Sequence, residues 1–390
     1  MQLSQRLMGI NGGGSDGWDV FLKARRMIAA GTPVTELTIG EHDIRTAAPI
    51  LQEMHAHAMG GHTGYAAVPG VEPLREAVAH RVQARTGVPT RADNVLITPG
   101  GQSALFSAHM AACDAGDTAL YVDPYYATYP GTLRAAGAVP QAVTTRAADA
   151  FQPRATEIAR HSKGARSLLI NSPNNPTGVV YSRATLEGIA EVCRRDDLWL
   201  ISDEVYDTQV WEGSHISPRS LPDMAGRTLV VGSLSKSHAM TGSRCGWLVG
   251  PEDMIAHLIN LATNTTYGVP GFIQDAGLFA LNQGPDFEAE VGAPFRRRRA
   301  LAQAVLAGQN TVGLVPAQGA MYLMLDVRAT GLSGEDFANS LLDTHHIAVM
   351  PGESFGSSAA GHIRVAMTVA DDAFDAALRT LCAHAETLRG

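Results

Sequence analysis

Short apolar runs rich in β-branched and aliphatic residues recur through the middle of the chain: NVLIT (94–98), TALYV (118–122), SLLIN (167–171), LWLIS (198–202), TLVVG (228–232) and CGWLVG (245–250). Between several of them lie stretches such as GQSALFSAHMAACDAG (101–116) and RATLEGIAEVCRRDD (183–197), whose apolar positions return at three- and four-residue spacing. Such spacing puts the apolar side chains on one helix face. Strands alternating with helices predict a large α/β domain built on a mostly parallel, mixed sheet covered by helices. After about residue 285 the rhythm changes. A helix around FRRRRALAQAVLAG precedes the alternating strand MYLMLDV (321–327) and further helices, which predicts a smaller α+β domain. The first 45 residues carry no sheet rhythm and are expected to join it, giving units of 1–45, 46–285 and 286–390.

A chain of 390 residues is long for a single core, and 45% hydrophobic with 17% charged residues describes an ordinary globular protein. The formal net charge of −8 argues against a nucleic-acid partner, which would demand a basic excess. Neither a secretory signal core nor the roughly 20 apolar residues of a membrane helix is present, so no membrane partner and a cytoplasmic location are expected. Cys113, Cys193, Cys245 and Cys382 are scattered without a CxxC pair, which leaves no metal site or disulfide framework to expect.

Open α/β sheets bind ligands beyond the carboxyl ends of their strands, so the loops after the apolar runs are the places to search. NVLIT leads into PGGQSALF, where Gly101 and Gln102 open a helix whose free N–H groups suit a phosphate. The spacing is neither GxGxxG nor that of a P-loop. GGGSDG (12–17) follows no strand and reads as a flexible loop. SLLIN leads into SPNNPTG, LWLIS into DEVY with Asp203 and Tyr206, and TLVVG into SLSK with Lys236. Each alone has a bland reading as a turn, a cap or a surface charge. Together on one rim they match a phosphorylated cofactor that carries an aldehyde and a basic ring. A lysine would form the imine, an aspartate would hold the ring nitrogen protonated, and a helix start with an arginine and serines would bind the phosphate. That cofactor is pyridoxal 5'-phosphate.

NSPNNPTG, SDEVY and SLSKSHAMTGSRCGW, in this order and spacing, resemble the class I/II aminotransferases of pyridoxal phosphate fold type I, and the likeness runs from GEHD (40–43) to IRVAM (363–367). The resemblance implies a Schiff-base and proton-transfer role for Lys236, a ring-nitrogen partner in Asp203, and hydrogen bonds to the ring oxygen from Tyr206 and Asn175. It implies phosphate ligands in Ser233, Ser235, Arg244 and the N–H groups of Gly101 and Gln102, and stacking of Tyr126 on the ring. Tyr65 would reach the phosphate of a neighbouring subunit in a homodimer. Arg364, assisted by Asn175 and the backbone of Gly40, would grip the α-carboxylate of an amino acid or 2-oxo acid substrate. The implied activity is ping-pong transfer of an α-amino group.

β-Lyases and decarboxylases keep the same lysine and aspartate on this fold, and some transcription regulators carry a non-catalytic domain of this kind behind a DNA-binding domain. Only about 40 residues precede GEHD, which disfavours the regulator. The chain also departs from the family. GEHDI replaces the common GEPDF, and His42 reads as a turn residue in preference to a specificity contact near the substrate entrance. Gln102 replaces a lysine that pairs with the distal carboxylate of dicarboxylate substrates, so acidic donors are expected to be poor unless another cation, such as Arg45, takes over. The run Arg296–Arg299 reads as a solvated helix face.

Overall fold

The computed structural model describes residues 1–13 and 17–389. The expectation of a flexible loop over 12–17 falls half on positions 14–16, outside the described residues.

Seven strands form the large sheet: β1 (Val95–Thr98), β2 (Thr118–Asp123), β3 (Val139–Thr144), β4 (Ala165–Asn171), β5 (Trp199–Asp203), β6 (Thr228–Ser233) and β7 (Gly246–Val249). Their order is β1-β7-β6-β5-β4-β2-β3. Neighbours run parallel except at β7, which lies antiparallel to both β1 and β6. The central strands are buried on both faces, as their unbroken apolar runs demand. Helices seal both sides, with Ala104, Leu105 and Ala108 of Gly100–Ala112 in one core cluster and Leu186, Ile189 and Ala190 of Arg183–Arg195 in another. Strand β3 was not legible in the hydrophobic pattern. It is one of the two edge strands and half exposed, unlike β1 at the other edge, and its sequence VPQAVT mixes a proline and a glutamine that an edge tolerates.

The smaller domain centres on the antiparallel pair β8 (Tyr322–Asp326) and β9 (His362–Ala366), flanked by the helices Gly334–His345 and Asp371–Leu388. Phe337, Leu341, Ile363, Val365, Phe374 and Leu381 fill its core. Val20 and Ala24 of the helix Asp19–Ala29 enter the same core, and Thr35–Glu36 pairs in parallel with Ile347–Ala348. Residues 5–12 differ from the sequence expectation, because they lie on the large domain. The Arg134 guanidinium donates to the Ile10 carbonyl at 3.0 Å, and the short helix Gln5–Met8 packs near the helix Tyr129–Ala136.

The arginine run is not a solvated face. Arg298 is 3% exposed and ion-paired with Asp43 at 2.6 Å and Asp371 at 2.8 Å. Arg299 pairs with Glu212, and only Arg296 and Arg297 face solvent. Four adjacent arginines on a helix of 3.6 residues per turn point in all directions, so at least one had to turn inward. Buried there, it ties GEHD to the small domain.

Candidate active site

The carboxyl ends of β4, β5 and β6 converge on a cavity of about 300 Å³ whose far wall comes from β8 and β9. Asp203, the last residue of β5, lies buried at this cavity. Its Oδ2 accepts the Tyr129 hydroxyl proton at 2.6 Å, and its Oδ1 accepts the Val205 N–H at 3.3 Å. Burial pushes the carboxyl up to about 6, against the pull of both hydrogen bonds.

At the end of β6, Ser233 caps the one-turn helix Leu234–Ser237, its Oγ accepting from the Ser235 N–H at 3.1 Å. That turn presents Lys236 to the cavity, where its ammonium donates to the Gly40 carbonyl. Burial lowers the lysine to about 8. Glu41 opposes the shift, and Arg364 and Arg244 add to it. The cationic neighbours are therefore the lesser cause. Gly40 has no alternative: a Cβ there would stand 1.7 Å from the Tyr322 hydroxyl.

The helix Gly100–Ala112 points its N-terminus at the same space. Gly100 sits at φ +77, and a Cβ on it would come within 2.4 Å of the Arg244 guanidinium. Glycine thus lets a cation lie against free helix N–H groups, an arrangement that suits a phosphate. The Arg244 guanidinium also donates to the Thr241 carbonyl at 3.0 Å. Opposite, Arg364 of β9 is 1% exposed, sandwiched between the rings of Tyr322 at 4.5 Å and Phe355 at 4.4 Å. It donates to Asn175 Oδ1 at 2.9 Å and to the Thr38 carbonyl, while its buried Nε has no partner. A buried guanidinium with unspent donors is a site for a carboxylate.

The donor set therefore fits pyridoxal phosphate: a lysine amine, a buried carboxylate and a glycine-lined anion cradle line one cavity. The aminotransferase class I and II family matches residues 32–381. The chain belongs to that family. Among its relatives, the arginine–pyruvate transaminase AruH of Pseudomonas aeruginosa is 41% identical over the full length of both chains. The aspartate/prephenate aminotransferase of Thermus thermophilus is 33% identical over 90% of each. A solved structure of Thermus thermophilus aspartate aminotransferase with maleate superposes with a TM-score of 0.91 at 31% identity, covering 98% of this chain and 100% of that one. It shares the fold type I architecture of a large α/β domain and a smaller α+β domain. The protein is a pyridoxal phosphate-dependent aminotransferase.

Of the residues singled out from sequence, Gly40, Gly101, Gln102, Tyr126, Asn175, Asp203, Tyr206, Ser233, Ser235, Lys236, Arg244 and Arg364 all line the cavity of this aminotransferase. Tyr65 does not. It is 92% exposed, its ring edge-on to Tyr267 at 5.0 Å. The Gly40 carbonyl faces Lys236, and Thr38 supplies the carbonyl that holds Arg364. Gln102 spends its amide on the Thr132 hydroxyl at 2.7 Å and accepts from Thr128 at 3.2 Å. His42, read from sequence as a turn residue, lies inside the fold. It is buried edge-on against Phe295 at 5.2 Å, and burial lowers it to about 4. Arg45 is exposed and outside the cavity lining.

Sequence reasoning missed Tyr129, Tyr322, Trp18 and Glu41. The Tyr322 hydroxyl meets that of Tyr206 at 3.0 Å, an approach between domains that no local motif signals. Tyr129 was within reach, since DPYYATYPG carries three tyrosines and only one of them was assigned.

Proposed function

We propose that the protein transfers the α-amino group of an L-amino acid to a 2-oxo acid by a ping-pong route, as a cytoplasmic homodimer. The observation that carries this reading is the convergence of Lys236 and Arg364 on one cavity beside buried Asp203. Pyridoxal phosphate, when bound, supplies an aldehyde that takes up the amino group and a pyridinium ring that accepts the electrons left by the departing α-proton.

Arg364 holds the substrate α-carboxylate by a two-pronged contact and so fixes where the α-carbon lies. Lys236 anchors the cofactor, then takes the α-proton and returns it one atom away. An amine whose buried setting lowers it to about 8 has the neutral form that a base needs near neutral pH. Asp203 would hold the ring-nitrogen proton, with Tyr129 keeping that carboxylate aimed. Ser233, Ser235, Arg244 and the N–H groups of Gly101 and Gln102 would hold the phosphate. Tyr206 and Asn175 would hydrogen-bond the ring oxygen, Tyr126 would cover the ring, and Tyr65 would serve the site of the neighbouring subunit.

Gln102 supports a donor without a distal carboxylate, because a neutral amide already bound to two threonines offers no compensating charge. The full-length relative that works on arginine and pyruvate is in keeping with this. The test is a panel of L-amino acids added to the holoenzyme without acceptor, read by loss of the visible absorbance of the lysine-bound cofactor and by the 2-oxo acid released. A donor that yields one 2-oxo acid per site and leaves the aminated cofactor supports transamination. Ammonia or carbon dioxide as the stoichiometric product overturns it in favour of lyase or decarboxylase chemistry.

A further inference from the structure

The charged residues lining the catalytic cavity, among those described, are Glu41, Asp203, Lys236, Arg244 and Arg364. Four of them have partners in the reading above: Arg364 the α-carboxylate, Arg244 the phosphate, Lys236 the reacting carbon and Asp203 the ring nitrogen. Glu41 is left over. Its Oε1 accepts the Thr241 hydroxyl at 3.0 Å, which pins a solvent-facing carboxylate at the cavity rim. The remaining outer wall consists of the Trp18 ring, the aliphatic side chains of Ile39 and Leu105, and the Gln102 amide.

This wall does not close the space. A second cavity of about 810 Å³ abuts the first and shares Trp18, Gln102 and Arg244 with it, so a long side chain has room past Gln102. Its charged groups are Arg134, Glu353 and the shared Arg244, and Glu353 keeps one buried oxygen, Oε2, without a partner. The Arg134 guanidinium donates to the Ile10 carbonyl at 3.0 Å, and Glu353 Oε1 accepts the N–H groups of Gly334 and Gly361 at 3.0 and 2.9 Å. A carboxylate arriving at the rim would meet the like charge of Glu41. A cation would meet a carboxylate and an aromatic face, both of which attract it.

Resting on the transaminase reading, the geometry points to a donor with a long cationic side chain, an ω-guanidino or ω-ammonio L-amino acid, whose distal charge is read by the Glu41 carboxylate and the Trp18 ring. Glu41 and Trp18 are then the specificity-determining residues for the far end of the substrate, as Arg364 is for the near end.

The test compares L-arginine with L-citrulline, its neutral near-isostere, as donors to the holoenzyme. The kcat/KM ratio of arginine to citrulline is expected to be about tenfold, to fall roughly fivefold in Glu41→Gln and roughly two- to threefold in Trp18→Leu. The ratio is the readout because Glu41 also acts on Lys236, an effect common to both donors. Calorimetry with 5-guanidinopentanoate and hexanoate, which lack the amino group and cannot react, reads the same site without turnover. Tighter binding of the guanidino acid, lost in Glu41→Gln, supports the assignment. A wild-type ratio near one, or a ratio unchanged in both variants, overturns it while leaving transamination intact. If no amino acid transaminates but 5-guanidinopentanoate still binds in preference, the transaminase reading fails and the cation site stands.

Discussion

Replacing Asp203 by asparagine should stabilise the apoenzyme while it cripples the holoenzyme. Burial raises this carboxyl from an ordinary value of 3.8 to about 6, so ionising it costs the folded chain free energy. At 1.36 kcal/mol per unit the full cost is about 3 kcal/mol. The sign follows from the raised value. Below the unfolded value both states are protonated and nothing is lost, and the penalty grows as pH rises from about 4 to about 6, then stays constant. Asparagine never ionises, and its amide oxygen can still accept the Tyr129 hydroxyl that Asp203 Oδ2 accepts at 2.6 Å. Urea unfolding of cofactor-free protein at fixed chain concentration should therefore find the variant more stable by about 3 kcal/mol near pH 7.5, and by about half that near pH 5. In the holoenzyme the order reverses, because a neutral amide cannot hold the ring-nitrogen proton, and kcat should drop by roughly a hundredfold or more. A variant less stable than wild type at both pH values, or a difference that does not change with pH, would refute the claim that Asp203 is a strained buried charge waiting for a cationic partner.

Arg364→Ala should lower kcat/KM by about 10²- to 10³-fold, mainly through KM, since a buried two-pronged carboxylate contact is lost; steady-state kinetics with the best donor checks it. Uptake of pyridoxal phosphate by the apoenzyme, followed by stopped-flow absorbance, should quicken with pH and level off above about 8, the value to which burial lowers Lys236, whereas an ordinary lysine would leave the rate still climbing. Tyr129→Phe removes the hydroxyl that donates to Asp203 Oδ2, so in the apoenzyme the carboxyl should titrate higher than in wild type, which the pH dependence of urea unfolding checks. Gln102→Lys should raise the aspartate-to-arginine ratio of kcat/KM at least about tenfold, and an unchanged ratio would mean that residue 102 does not face the substrate's far end.

The fold was legible where burial is uniform. Strands β1, β2, β4, β5, β6 and β7 bury both faces and so leave unbroken apolar runs, whereas β3 at the edge keeps a proline and a glutamine and leaves none. Site residues that sit at strand ends could be read from the loops that follow, because the chain itself delivers Asp203 and Lys236 to one rim. Those brought in by packing could not. Tyr322 reaches Tyr206 only when β8 closes over β5, and Trp18 reaches the cavity only because the helix Asp19–Ala29 docks on the small domain. His42 and Arg298 show the same limit. A histidine in the GEHD segment reads as a turn residue and an arginine in a basic run as solvated, and packing against the small domain buries both.

The central claim is that Lys236 is the amine on which this site is built. Borohydride reduction of the holoenzyme, followed by digestion and peptide mapping, tests it directly. The label is expected on the peptide that carries Lys236, and Lys236→Ala protein should bind the cofactor yet retain none after reduction. A label on Lys23 or Lys163, or retention by the Lys236→Ala chain, would contradict the account.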